Sequence, residues 1–341
     1  MRALHVYSGN MYGGVETLLV TLARHRAEAP GMESRFAVCF EGRLSDELRA
    51  AGAPVHGVGP VRMSRPASVL RARRALRELI RRERSDAVVL HGLWPQAVFA
   101  PAVRAAGAPL VLWLHDRVHG RGWLERIARL TRPDLAVCNS RFTAATLPRL
   151  YAGVRGEVVY CPVAAPTVQN GAEDRRAVRA ELDTPEDAVV VVQTSRLEAW
   201  KGHSLHLEAL GRLREVPGWV CWLVGGAQRP EEAVYRGELE ALARRLGIAD
   251  RVRFAGQRSD VPRILAAADV HCQPNLGPEP FGIAFVEALL AGLPSVTTAL
   301  GGATEIVDDA CGALVPPGDA DALAAALRAL IVDPAARRQR G

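Results

Sequence analysis

The sequence predicts an α/β protein made of two doubly wound parallel-sheet domains facing a cleft, and three observations carry that prediction. Short apolar runs of strand length alternate with helical patterns of ten or more residues along the chain. At 341 residues the chain is long for one core and comfortable for two. Between the halves, residues 161–172 (C-P-V-A-A-P-T-V-Q-N-G-A) carry no charge and hold two prolines and a glycine, the composition of a linker. The domains are therefore read as 1–165 and 166–341.

In the first half, strands are expected at 3–8, 35–40, 55–58, 86–90, 109–114, 134–138 and 157–160. Helical patterns run between them, including 16–26, 67–84, 96–105 and 141–150. The second half repeats the theme, with strands at 188–193, 219–224, 252–254, 270–273, 295–297 and 313–315. Its clearest helices are 205–214, 231–246, 283–291 and 320–330. Open parallel sheets bind ligands at the carboxyl ends of their strands, so the loops that follow strands are where chemistry is sought.

Composition is that of an ordinary globular protein, 49% hydrophobic and 23% charged. The net charge of +6 is uneven: residues 1–165 carry +11 and residues 166–341 carry −5. A basic first half suits an anionic partner, such as a membrane surface or an acidic acceptor. No motif supports nucleic-acid binding. The six cysteines show no metal-ligand spacing and read as reduced core residues. The first apolar run is short for a signal peptide and no run reaches membrane-spanning length. A cytoplasmic protein is expected, with peripheral attachment to a membrane as its variant.

Two stretches concentrate chemistry. After the strand at 188–193 comes S-R-L-E-A-W-K-G, with Arg196 and Lys201 at a helix entrance. Of 43 basic residues Lys201 is the one lysine, in a chain that otherwise writes positive charge as arginine. A guanidinium fork beside a compact ammonium suits a diphosphate; two solvated cations at a turn is the plainer reading. After the strand at 270–273 comes N-L-G-P-E-P-F-G-I-A-F-V-E-A-L-L-A-G, opening a helix near Gly282. Its N–H groups can receive phosphate, and Glu279 and Glu287 can accept sugar hydroxyls. Glu287 lies on a nearly all-apolar helix, which disfavours a merely solvated charge.

With L-V-G-G-A, F-A-G and G-G-A-T-E-I-V, these segments resemble the second domain of the GT-B retaining glycosyltransferases of family 4. Gly13-Gly14-Val15-Glu16 and His115-Asp116 resemble the loops of that family's first domain, so the resemblance covers essentially the whole chain. It implies two Rossmann-like domains and transfer of a hexose-type sugar from a nucleotide-diphosphate sugar to an acceptor hydroxyl. It implies that Arg196 and Lys201 bind the diphosphate, Glu287 the ribose and Glu279 the transferred sugar. The backbone of Phe281, Gly282, Ile283 and Ala284 would line sugar and phosphate. Gln257 and Arg258 would lie against the base, Gly13 and Gly14 would admit diphosphate or acceptor, and His115 would bond the donor sugar. His91, Trp94 and Asp116 are candidates on the acceptor side, against simple loop packing.

No metal is implied, because the cations can stabilise the diphosphate; Asp319-Ala320-Asp321 reads as a helix cap. No cofactor is expected beyond the donor itself, a UDP-, GDP- or other nucleotide-sugar. Two basic surfaces could meet an anionic acceptor. One is the helix within 62–84, with nine arginines beside Val69, Leu70, Leu76, Leu79 and Ile80. The other is Arg117, Arg121, Trp123, Arg126, Arg129 and Arg132. Relatives usually carry a different turn near Tyr160-Cys161-Pro162-Val163 and continue into a helix returning to the first domain, which is expected to be missing or truncated here. A sugar-nucleotide epimerase of the same plan, or a non-catalytic nucleotide-sugar-binding protein, stays open on the residues alone.

Overall fold

The computed structural model describes residues 1–165 and 171–341, which divide into two compact units, Met1–Pro162 and Val163–Gly341. Part of the expected linker, 166–170, lies outside the described residues, and a helix, Gly171–Glu181, begins after it.

The first unit holds β1 (Arg2–Tyr7), β2 (Glu33–Val38), β3 (Val55–Gly57), β4 (Ala87–His91), β5 (Leu110–Leu114), β6 (Leu135–Cys138) and β7 (Gly156–Val158). They form one parallel sheet in the order β3-β2-β1-β4-β5-β6-β7. The second unit holds β8 (Val189–Thr194), β9 (Trp219–Val224), β10 (Val252–Gly256), β11 (Val270–Gln273), β12 (Ser295–Thr298) and β13 (Gly312–Val315). Their order is β10-β9-β8-β11-β12-β13, again all parallel. Every expected strand is present, with ends displaced by at most two residues. Of the helices not named from sequence, Arg43–Ala50, Trp123–Ala128, Val261–Ala267 and Pro334–Arg340 are eight residues or shorter and carry little periodic signal, while Gly171–Glu181, which begins at the end of the expected linker, has eleven.

Helices pack on both faces of each sheet, so the central strands are buried on two sides. Along β9 (W-V-C-W-L-V) every residue is buried. Cys221 and Leu223 pack with Leu205, Leu239 and Leu327, while Val220 and Trp222 pack with Val178, Ile264 and Ala288. The six cysteines are free thiols, five of them buried, and burial pushes the Cys39 and Cys161 thiols up to about 12. Among the described residues no helix is long and apolar enough to cross a membrane.

The helix Pro66–Glu83 corrects one detail. Leu76, Leu79 and Ile80 face the core, but Leu70 is 64% exposed and stands on the arginine side. Arg73 turns inward instead, donating from Nε to the Val98 carbonyl at 2.5 Å.

Each sheet reverses its strand order once, between β1 and β4 and between β8 and β11. At such a reversal the loops on adjacent strands leave in opposite directions and open a crevice. Both sequence segments singled out for the second unit follow the strands of its reversal.

Candidate active site

In the second unit, the loop after β8 ends in a tight turn, Ala199–Lys201, before the helix His203–Arg212. The loop after β11 leads to the helix Ile283–Leu290. The two loops are stitched together: the Trp200 carbonyl accepts from the amides of Leu276 (2.8 Å) and Gly277 (3.3 Å). Gly202 makes that approach possible. It has φ +75°, and a Cβ there would sit 1.8 Å from the Pro274 carbonyl oxygen.

This contact delivers Lys201 to Glu279. Their Nζ and Oε2 are 2.6 Å apart, with the side chains 15% and 11% exposed. The ammonium also lies 4.0 Å from the centre of the Trp200 ring. Gln273 and Asn275 each donate to the same Oε2 at 3.3 Å. Oε1 carries no partner among the described residues, and an ammonium with three N–H groups has donors to spare. Arg196 is held through Nη2 by Glu198 at 2.9 Å, while its Nη1 is buried and unpaired. The pair of cations and the acceptor carboxylate are therefore fixed before any ligand arrives.

Glu279 is braced from behind by the G-G-A-T-E segment. The Gly302 amide donates to the Glu279 carbonyl at 2.7 Å, and a Cβ on Gly301 would stand 2.3 Å from that oxygen. Phe281 and Gly282 are buried at the helix entrance, and Ile283 and Ala284 open a first turn that no side chain caps. Its N–H groups are the kind that receive phosphate. One turn further, the Glu287 carboxyl is partly buried and has no bonding partner among the described residues. Burial raises its pKa to about 7.

Beneath the loops lies a polar layer that the sequence reading missed. Gln193 donates to the Lys201 carbonyl at 3.0 Å and its Oε1 is 3.0 Å from His206 Nδ1. His203 meets Ser195 Oγ at 3.1 Å and His271 meets Ser295 Oγ at 3.0 Å. Burial lowers all three histidines to about 3, so they act as neutral spacers. The available signal was a glutamine at or near the end of two adjacent apolar strands, Gln193 and Gln273.

At the end of β10, Gln257 is exposed. The Arg258 fork is committed to Glu181 and to Asp260 at 2.8 Å, so its guanidinium is not free to meet a base as expected. Asp319 caps the helix Ala320–Val332, accepting from the amides of Asp321 and Ala322 at 3.0 and 2.9 Å.

In the first unit, Gly13 precedes the helix Gly14–Arg24, and a Cβ on it would meet only Glu16 Oε2 at 3.7 Å. His115 follows β5, its Nε2 2.9 Å from His91 Nδ1; His91 Nε2 is in turn 2.9 Å from His5 Nδ1. With both ring nitrogens occupied and 1% exposure, His91 offers nothing to an acceptor, which corrects that expectation. Trp94 packs edge-on against Phe99, 6.2 Å between ring centres. Asp116 is exposed and accepts from the Arg117 amide at 2.7 Å, shaping its own loop. His5 was not singled out from sequence, where it reads as one polar residue inside an apolar strand.

Residues 12–165 match the model of the glycosyltransferase family 4, and residues 174–341 match that of the glycosyl transferases group 1. The chain belongs to this family of glycosyltransferases, and its two parallel sheets are the GT-B fold. It is 37% identical over 156 residues to the lipopolysaccharide core biosynthesis glycosyltransferase LpsE of Rhizobium meliloti, covering 46% of this chain and 43% of LpsE. That match spans under half of the relative's length. The phosphatidyl-myo-inositol mannosyltransferase of Mycolicibacterium smegmatis is 29% identical over 342 residues, 96% of this chain and 83% of the relative. The crystal structure of Anabaena HepE in complex with UDP and glucose superposes with a TM-score of 0.85 at 26% identity. It covers 100% of this chain and 92% of HepE.

Proposed function

We propose that the protein is a retaining glycosyltransferase that moves a hexose-type sugar from a nucleoside-diphosphate sugar to an acceptor hydroxyl. The observation that carries this reading is the Lys201–Glu279 pair at the strand-order reversal, which leaves both Nζ donors and Glu279 Oε1 for a ligand. Arg196 Nη1 and Lys201 Nζ would take diphosphate oxygens, with the uncapped first turn at Phe281, Gly282, Ile283 and Ala284 beside them. Glu279 Oε1 would accept a hydroxyl of the transferred sugar, Glu287 would accept the ribose hydroxyls and Gln257 would lie near the base. In the first unit, His115 and the backbone at Gly13 and Gly14 are the proposed ligand contacts.

In the reaction, the bond from the anomeric carbon to the phosphate oxygen breaks and a bond to the acceptor oxygen forms on the same face. The acceptor proton passes to the departing phosphate. Catalysis rests on stabilising that leaving group by fixed cations and on positioning. Binding of UDP by HepE and the GDP-mannose dependence named for a mannosyltransferase of Mycolicibacterium smegmatis support a nucleotide-sugar donor with either base. Relatives named for lipopolysaccharide and phosphatidylinositol glycosylation support an anionic acceptor at a membrane surface. The exposed arginines of Pro66–Glu83, and Arg117, Arg121 and Arg126 around the 63%-exposed Trp123, supply a matching basic surface.

The test is a screen of UDP-, GDP-, ADP- and dTDP-sugars by mass spectrometry, with and without lipid extract. Transfer from one of them, lost in Lys201→Ala and weakened through donor binding in Glu287→Ala, is the expected result. Isomerisation of a donor sugar with no acceptor present would establish an epimerase instead, and binding with no turnover of any donor would establish a binding protein.

A further inference from the structure

Across the first sheet, aromatic and imidazole rings form a row on one face. Register pairs Phe36 on β2 with His5 on β1, and His91 on β4 with Trp113 on β5. Ring centres step 5.3 Å from Phe36 to His5, 5.2 Å from His5 to His91 and 5.3 Å from His91 to Trp113. These steps are the spacing of neighbouring strands. His115, two residues past Trp113, lies edge to edge with His91, ring centres 5.2 Å and ring planes 11° apart. Within this row three imidazoles are bonded in series, His5 Nδ1 to His91 Nε2 and His91 Nδ1 to His115 Nε2.

Burial keeps all three neutral: His5 falls to about 4, His115 to about 3, and His91 lies well below its ordinary value. A neutral imidazole has one N–H and one lone pair. Two bonds in series therefore allow two arrangements only, because fixing one proton fixes the other two. In the first, every Nδ1 carries the proton, His115 presents an N–H beyond the chain, and His5 Nε2 ends as a bare lone pair. In the second, every Nε2 carries it, His115 presents a lone pair, and His5 ends in a buried N–H. His5 Nε2 is buried with no partner. An orphaned buried N–H is rarer than an orphaned acceptor, so the closed end at His5 selects the first arrangement.

We propose that His5 and His91 are positioning residues that hold His115 in the Nδ1–H form, so that it meets the bound ligand as a neutral hydrogen-bond donor. This rests on the reading of His115 as a ligand contact and adds its chemistry. An N–H at Nδ1 suits an acceptor-only oxygen of the donor, such as a ring or phosphate oxygen. It also bars His115 from taking the proton of the acceptor hydroxyl, leaving that proton to the departing diphosphate.

The test is long-range proton–nitrogen NMR on the full-length protein labelled with 15N-histidine. His115 is expected to show a protonated Nδ1 and a bare Nε2; the opposite pattern in the wild type overturns the proposal, whatever the transferase activity. In His5→Phe, the Nδ1–H that fixes the His91 proton is gone and only a C–H ring edge faces His91 Nε2. His91 and His115 should then shift toward the Nε2–H form. His5→Asn, whose amide N–H can stand where Nδ1–H stood, should restore the wild-type pattern. His5→Phe should lower kcat/KM about tenfold, the weight of one hydrogen bond, and His5→Asn should recover it. Correct tautomers with no transfer from any donor would overturn the function proposed above and leave the tautomer assignment standing. A His5→Phe protein with unchanged His115 nitrogens would overturn the role of His5.

Discussion

The two strand-order reversals share a topology and hold opposite chemistry. At the β8/β11 reversal an ammonium, a guanidinium and two carboxylates gather, and the loops are jammed so tightly that Gly202 has no room for a Cβ. At the β1/β4 reversal the groups are neutral imidazoles bonded to one another, and Gly13 has room for a Cβ. The difference teaches how one fold divides labour. A site for a charged ligand needs charges fixed in advance, which takes close-packed loops. A neutral donor needs only a tautomer, which a row of rings across a sheet can set.

The largest expected effect breaks the charged side. Lys201→Ala should lower kcat on the order of 10²–10³, the loss typical of one donor at a developing negative charge. It should also destabilise the protein by about 3 kcal/mol, because Glu279 is 8% exposed and would lose its counter-charge. Adding Glu279→Gln should return much of the stability and none of the activity. Denaturant unfolding and single-turnover kinetics on the pair of variants would separate the two effects. If the single variant kept near-normal turnover, the charged reversal would not be the catalytic one.

Glu287 comes next. Loss of a carboxylate that accepts two ribose hydroxyls should weaken donor binding about 10- to 100-fold in Glu287→Ala, read as KM or Kd. Stability should move the other way. The folded carboxyl holds its proton up to about pH 7, whereas an unfolded one releases it near 4.5. As pH rises through that window the wild type therefore loses stability. Glu287→Gln should match it near pH 4.5 and exceed it by about 3 kcal/mol at pH 8, measured by thermal unfolding. Because hydroxyl donors favour the ionised carboxylate, nucleotide binding at pH 6.5 should release a proton. Calorimetry in two buffers of different ionisation enthalpy checks this, and no difference between them would remove Glu287 from the ribose.

Sequence carried the strands because both sheets bury apolar runs on two faces, and W-V-C-W-L-V can hardly be anything else. It carried Lys201, Glu279 and Glu287 because each is a charge set where neighbouring residues are apolar or glycine. It did not carry Arg258, whose partners Glu181 and Asp260 come together only through folding, one of them from a distant helix. Nor did it carry His5 or the true position of His91. A histidine inside a strand gives no sign of which strands will lie beside it, and only the sheet order sets His5, His91 and His115 in a row.

The smallest effect on stability should come from Gly13→Ala, and it sharpens the contrast with Gly202. Gly13 has φ −170°, extended backbone that any residue adopts. Its added Cβ would touch only Glu16 Oε2 at an ordinary 3.7 Å. The protein's own packing therefore gives no reason for glycine, and replacing it should cost about 0.5–1 kcal/mol, the difference between glycine and alanine at a helix N-cap. A ligand whose oxygens approach that backbone would be the reason. In that case Gly13→Ala should raise KM for donor or acceptor several-fold while the melting temperature stays within about 2 °C. An unchanged KM would leave the open glycine without a ligand, and the first unit's contribution would then rest on His115 alone.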